Sequence, residues 1–286
     1  MTAASVFIAG PASWNDIIVV DRLPEAVPHM QFAQTSWSTV GGTSAGKALS
    51  LAALGRPALL AAATGDDDPG RRIRDALAAA GVDVRWSTGD VTERHVNLMT
   101  TRGERVSIYL SAPVAQGASD DSALTAAMSA AEVIVLDLAA EPLRLLPLAR
   151  RTGRPIWVDV HDYDGVAAFH RPFLEAADAV FCNADRLDDP LGFLHERVDA
   201  GASLAVCTLG ADGAVAVDSR GVEHRVSAIP VELIDTNGAG DAFFAGVLDA
   251  HLAGEPVSEA LAAGARAAAV VLRSRHLHPL LDPILG

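Results

Sequence analysis

The chain has 286 residues, 50% hydrophobic and 20% charged, which excludes a disordered polymer and is ample for a large buried core. Its 22 basic and 36 acidic side chains give a formal charge of −14, excluding the broad cationic surface that nucleic acid or an anionic membrane requires. A local pocket can still be positive, and the two cysteines, Cys182 and Cys207, sit in apolar runs that suit a reducing cytoplasm better than a disulfide framework.

The opening residues lack the basic segment and long apolar core of an export signal, so a cytoplasmic protein is expected. Val6-Phe7-Ile8-Ala9 reads as a first strand closing at Gly10. Residues 29–40 show β-type patterning without a helix of their own, and 44–54 is the first helical candidate. A second, 69–80, is stopped by Gly81 before the chain re-enters a strand. Residues 91–110 are again β-patterned, turning at Arg102-Gly103-Glu104. Helical candidates 120–131, 141–152 and 190–200 then alternate with the continuous apolar runs 133–138, 156–160, 179–182 and 204–208. Continuous rather than alternating apolar strands are those of a parallel sheet covered on both faces. From 239 to 273 two helices are split near Gly254-Glu255-Pro256, and the proline-bearing tail from Leu277 is expected to be irregular, with His276 and His278 on the surface. The order predicts one α/β domain over 1–286: a doubly wound, mostly parallel sheet with helices on both faces, and a small β-lid from about 11–40 and 91–112.

The strongest chemical signal is Asp235-Thr236-Asn237-Gly238-Ala239-Gly240-Asp241, followed by an apolar helical run. A glycine-rich loop feeding a helix start offers unpaired N–H groups and a partial positive charge to an anion. Asp241 falls in the first turn beside that anion, where a carboxylate can orient a hydroxyl and take its proton. Gly41 through Lys47 fits the first seven positions of a phosphate-binding loop, but Ala48 stands where that motif needs a magnesium-binding hydroxyl, so the match is coincidental. His161-Asp162 has no second His or Cys at ligand spacing and reads as loop lining. Lys47 is the chain's one lysine.

This seven-residue segment resembles the C-terminal signature of the ribokinase-like (PfkB) carbohydrate kinases. Gly41-Gly42-Thr43-Ser44-Ala45-Gly46-Lys47-Ala48 resembles the family's N-terminal Gly-Gly motif, Thr64 to Gly70 its Gly-x-Asp-x-x-Gly turn, and Thr208 to Gly213 the loop that lies against nucleotide phosphates. The resemblance implies ATP with Mg²⁺ and a small acceptor: a sugar, sugar phosphate or nucleoside. It implies Asp241 as base, the amides of Gly238, Ala239 and Gly240 as an anion hole, and Asp235 and Thr236 as shapers of that loop in reach of phosphate or its cation. Asn183, Thr208, Gly210 and Gly213 fall on the nucleotide side, and Asn15, Asp16, Gly41, Gly42 and Lys47 on the acceptor side. Metal ligands are left unassigned, and a homodimer through the lid is an expectation of the same kind.

Three departures from the family pattern bear on activity. Asn15 stands at a usual Asp, Gly46 at a usual substrate-binding Asn, and Arg186 at the Glu of an Asn-x-x-Glu motif that begins at Asn183. Lys47, next to the missing Asn, is expected to point into the acceptor site, where an anionic group would explain it. His95 and Asn97 in the lid are further acceptor contacts. The competing readings are a sugar- or nucleotide-binding protein with little catalysis, and an oxidoreductase, which lacks its Gly-x-Gly-x-x-Gly after the first strand.

Overall fold

The computed structural model describes residues 4–114 and 120–286; of the opening residues read above, 1–3 lie outside it. In chain order the first elements are β1 (Val6–Ala9), β2 (Ser13–Val20), β3 (Thr35–Gly41), α1 (Thr43–Ala53), β4 (Ala58–Thr64), α2 (Asp68–Ala79), β5 (Asp83–Thr88), β6 (Arg94–Thr100) and β7 (Arg105–Ser111). Then come α3 (Asp121–Ala130), β8 (Val133–Asp137), α4 (Ala140–Thr152), β9 (Ile156–Asp159), α5 (Arg171–Leu174), β10 (Ala179–Asn183), α6 (Pro190–Asp199) and β11 (Leu204–Thr208). The chain closes with β12 (Ala214–Asp218), β13 (Glu223–Val226), α7 (Ala239–Leu252), α8 (Val257–Val271) and α9 (Asp282–Leu285).

Among the described residues, nine strands form the main sheet in the order β13-β12-β11-β10-β9-β8-β1-β4-β5. All neighbours are parallel except β11–β12 and β12–β13. Alternation along the buried strands feeds two cores. Val6 and Ile8 of β1 join Leu49, Leu51, Phe244 and Leu248 of α1 and α7 on one face. Phe7 and Ala9 join Met128, Leu145, Phe173 and Leu194 of α3 to α6 on the other. That double coverage explains why these strands read as unbroken apolar runs. The chain runs outward from β1 in both directions, so β1 and β8 flank the point where strand order reverses. In open α/β sheets that crevice, at the carboxyl ends of the strands, is where ligands bind.

The second sheet, β3-β2-β6-β7, is the lid. Within the residues expected for it, β3 begins at Thr35 rather than 29, because residues 21–34 carry no strand pairing. The tail is more ordered than its prolines suggest. Pro279–Leu281 forms a turn of 3₁₀ helix ahead of α9, and Leu281 is fully buried. His276 and His278, expected at the surface, are buried. His276 Nδ1 lies 3.0 Å from Thr39 Oγ1, and Trp37 Nε1 donates to the carbonyl of Arg275, so the tail packs onto lid strand β3. Desolvation holds His278 down at about 4, so it stays neutral there.

Candidate active site

α7 starts where its sequence requires. Gly238 adopts φ 78° with Leu277's carbonyl oxygen 2.6 Å from where a Cβ would stand, so conformation and space both demand glycine. The bond from the Ala242 amide to the Gly238 carbonyl starts the helix, and just before it the Ala239 amide makes only a long, 3.4 Å bond back to the Thr236 carbonyl. Gly240 is exposed, with open space beyond it. Asp235, whose carboxyl burial pushes above its usual range, accepts from the Asn237 backbone and side-chain amides, each at 2.8 Å, and so sets the loop's bend.

Asp241, in the same turn, is buried, and its carboxylate meets Lys47. The Lys47 ammonium is completely buried and lies 2.9 Å from Asp241 Oδ1, 2.9 Å from Asp137 Oδ1 and 3.4 Å from Asp159 Oδ2. The Phe244 ring centroid is 5.0 Å away. The ammonium thus hydrogen-bonds Asp241 of α7 and pairs by charge with Asp137 of β8 and Asp159 of β9, while Asp137 Oδ1 receives no well-aligned hydrogen bond. Burial opposes the charge on Lys47, but these carboxylates outweigh it and keep the ammonium protonated. At Asp241 the balance is reversed: burial dominates, Asp137 adds repulsion, and the pull of Lys47 only limits the rise to about 6. Burial also raises Asp159, but His161 and Lys47 outweigh it and hold that carboxyl below its usual range.

Asp137 and Asp159 are braced from behind. Ser44 donates to Asp137 Oδ2, and the His161 amide donates to Asp159 Oδ1 at 2.9 Å, with His161 itself at φ 51°. Sequence reading missed both acids. Their signal was a carboxylate closing an unbroken apolar run, at the strand end where open α/β sheets bind ligands.

The lid meets the loop before α7 through Arg105 and Met99, which contact Asn237. Asn15, His95 and Asn97 are buried within the lid, and a Cβ on Gly41 would stand 2.1 Å from Asn15 Nδ2. Ser13 Oγ donates to Asn15 Oδ1, His95 Nε2 lies 2.9 Å from Glu93 Oε1, and Asn97 Oδ1 is buried without a partner. Asp16 does not join them. Strand alternation puts it on the opposite face, where Ser38 and Arg94 engage it at 2.7 and 3.1 Å. On the other side of the cluster, Asn183 and Thr208 are register partners at the ends of β10 and β11. Gly210 and Gly213, at φ 59° and 95°, turn the chain from β11 into β12.

Residues 12–281 match the pfkB family of carbohydrate kinases. The chain belongs to that family. It is 32% identical over 271 residues to the acarbose 7(IV)-phosphotransferase of an Actinoplanes species, covering 92% of this chain and 90% of that one. It is 30% identical to the aminoimidazole riboside kinase of Salmonella typhimurium, covering 92% and 88%. The solved structure of a microbiome-derived acarbose kinase, Mak1, superposes with a TM-score of 0.83 at 30% identity, covering 100% of this chain and 99% of that chain.

This kinase departs from the family pattern at positions the geometry now explains in part. Gly46 faces Asp241: a Cβ there would stand 2.6 Å from Asp241 Oδ2. The Lys47 ammonium lies against Asp241 and also against Asp137 and Asp159, so the anions it meets here are carboxylates of its own chain. Arg186 is exposed and reaches Asp164, at 3.5 Å, while Asn183 Oδ1 accepts from the Asp185 amide.

Proposed function

We propose that this kinase moves the γ-phosphoryl group of ATP to a hydroxyl of a neutral glycoside, sugar derivative or nucleoside, with Asp241 as base. The observation that supports it best is the placement of Asp241: in the first turn of α7, directly after the glycine-rich loop of Gly238, Ala239 and Gly240, and paired through Lys47 with the acids that end β8 and β9. An acceptor hydroxyl above Gly46 would donate to Asp241 Oδ2. Its proton passes to that oxygen as the new O–P bond forms and the bond to the leaving ADP oxygen breaks. The three amides stabilise the charge spread over the transferring phosphoryl oxygens.

ATP would lie along Thr208, Gly210 and Gly213, with Asn183 and Thr236 toward its phosphates. Magnesium, when bound, would neutralise phosphate charge. Among the described residues no group of three or more His, Cys, Asp or Glu is arranged to hold a metal, so the ion would be carried by the phosphates, with Asn183 and Asp185 reaching it through water.

A neutral acceptor is favoured by the charge balance here, where the one ammonium of Lys47 faces three carboxylates and leaves no net positive site for a phosphate or carboxylate. The acceptor's hydroxyls would meet Asn15, His95 and the unpartnered oxygen of Asn97, with Gly41 and Gly42 letting the backbone come close. The similarity to two acarbose kinases favours a glycoside over a nucleoside. The outer strand β7 exposes Val106, Ile108 and Leu110 on the face opposite Tyr109, a face suited to a homodimer through the lid. No helix among the described residues is long and apolar enough to cross a membrane, and a cytoplasmic location accords with the two free thiols.

The test is ADP release from ATP with acarbose, simple sugars, sugar phosphates and nucleosides offered singly. Turnover with a neutral glycoside is the expected result. Ligand-induced thermal stabilisation without ADP from any acceptor would sink the kinase reading and leave a binding protein.

A further inference from the structure

Lys47 is buried at a junction of four elements, and its three carboxylates are not equivalent. Asp137 has Ser44 as a second partner and Asp159 has the His161 amide. Asp241 has Lys47 alone among the described residues, through Oδ1. The lysine is therefore a fixed post, anchored by two braced acids, that tethers the one acid otherwise free to turn. The tether leaves Oδ2 over Gly46, in space that any Cβ at that position would take. Gly46 and Lys47 thus act together. The missing side chain admits the carboxylate to the surface of α1, and the next residue holds it there.

We propose that Lys47 is a positioning residue for phosphoryl transfer: its ammonium, braced by Asp137 and Asp159, holds Asp241 as a carboxylate with Oδ2 turned toward the acceptor hydroxyl. This rests on Asp241 being the base. In the step itself Lys47 neither gains nor loses a proton. The acceptor's proton goes to Asp241 Oδ2, and the ammonium stays paired with Asp137 and Asp159. The groups that face Asp241 are Lys47 from α1, Asp137 from β8, and Asp159 and His161 from β9 and the loop after it. Removing the ammonium leaves Asp241 buried against two like charges, so it takes up a proton at a higher pH.

Because Lys47 is the chain's one lysine, two readouts are available. Lys47→Met is expected to lower kcat about a hundredfold, on the order of a lost general-base contribution, and to move the acidic limb of the kcat–pH profile up by about a unit or more. Acceptor KM should stay within about threefold, and Asp137→Asn in the same background should move the limb back down. A raised KM with unchanged kcat would make Lys47 a substrate contact and overturn the proposal. A lowered melting temperature with an unmoved acidic limb would make it structural and overturn it equally.

The second readout needs no turnover and no variant of Lys47. Protein labelled with ¹⁵N-lysine carries one side-chain ammonium signal, expected to be protected from exchange and to shift as pH passes the titration of Asp241. The shift should vanish in Asp241→Asn. A signal that does not move between about pH 5 and 7.5 in the wild type overturns the proposal whether or not an acceptor is known. Absent turnover with every acceptor, together with a shift that tracks Asp241, would refute the kinase reading and leave the Lys47–Asp241 coupling standing.

Discussion

Gly46 and Asp241 compete for the same volume: a Cβ on the glycine would lie 2.6 Å from Oδ2 of the aspartate, 2.9 Å from its Cβ and 3.0 Å from its Cγ. Rotating the carboxyl group relieves only the first of these contacts. Restoring the family's residue by Gly46→Asn is therefore expected to be harmful here, pushing Asp241 off Lys47 and lowering kcat at least about tenfold. Affinity for ATP, whose proposed loop is at β11–β12, should change by less than about threefold. Steady-state kinetics with calorimetric nucleotide binding checks it, and a Gly46→Asn enzyme as fast as wild type would show that Asp241 works from another position.

Asp241→Asn keeps the shape of the side chain and removes the base. General-base removal costs about 10² to 10⁴ in rate, so turnover should become barely measurable while nucleotide binding persists. An unchanged kcat would refute the assigned role.

The same residue sets two opposite pH dependences. With burial holding Asp241 up at about 6, kcat should fall about tenfold per pH unit below that value, because the protonated acid cannot accept the hydroxyl's proton. Stability runs the other way. A carboxyl whose folded pKa lies above its unfolded value of 3.8 favours the fold while protonated, and that contribution, up to about 3 kcal/mol, is lost as pH rises through about 6. The melting temperature of Asp241→Asn relative to wild type should therefore increase between about pH 4.5 and 7.5. A flat difference across that range would place the titration elsewhere.

Much of this architecture was legible because the signals were local. Asp235 to Asp241 encodes a helix start within seven residues, and the apolar runs of β8 to β11 announce strands covered on both faces. The lid was legible as β-patterned sequence without a helix. What escaped was the partnership of distant residues. Nothing near Lys47 in sequence reveals that Asp137 and Asp159 end strands β8 and β9 beside it, so a buried post read as a free cation seeking an anion. Asp16 escaped for a smaller reason: a one-residue step along β2 changes the face, and only the register with Ser38 and Val96 on either side fixes which face Asn15 takes. His276 looked like a tail residue because its cover, lid strand β3, lies far away in the chain.

Arg105 of β7 donates to Asn237 Oδ1 at 2.6 Å, and Asn237 is also pinned by Asp235 and by Met99 of β6. The lid thereby touches the loop whose amides are proposed to form the anion hole. The pair is exposed, so its share of global stability is small, about 0–1 kcal/mol. Arg105→Ala is expected to leave the melting temperature nearly unchanged while raising acceptor KM several-fold. An acceptor KM equal to that of the wild type in steady-state kinetics would show that the contact does not govern closure.

Arg186 holds no position the fold depends on: it is exposed and, among the described residues, pairs with Asp164 at 3.5 Å, a contact of little energetic weight. Its charge matters more for where it sits, three residues after Asn183, on the side expected to face nucleotide phosphate and its cation. A guanidinium there repels magnesium and substitutes for part of its neutralising role, so the wild type should need little protein help in holding the ion. Arg186→Glu, which restores the family's acid, should lower the magnesium concentration for half-maximal rate about three- to tenfold and leave acceptor KM alone. The measurement is initial rate against free Mg²⁺ at fixed ATP. An unchanged magnesium dependence would mean that Asn183 and its neighbours lie too far from the metal–nucleotide complex to tune it, and the nucleotide would have to be placed further along the β11–β12 turn.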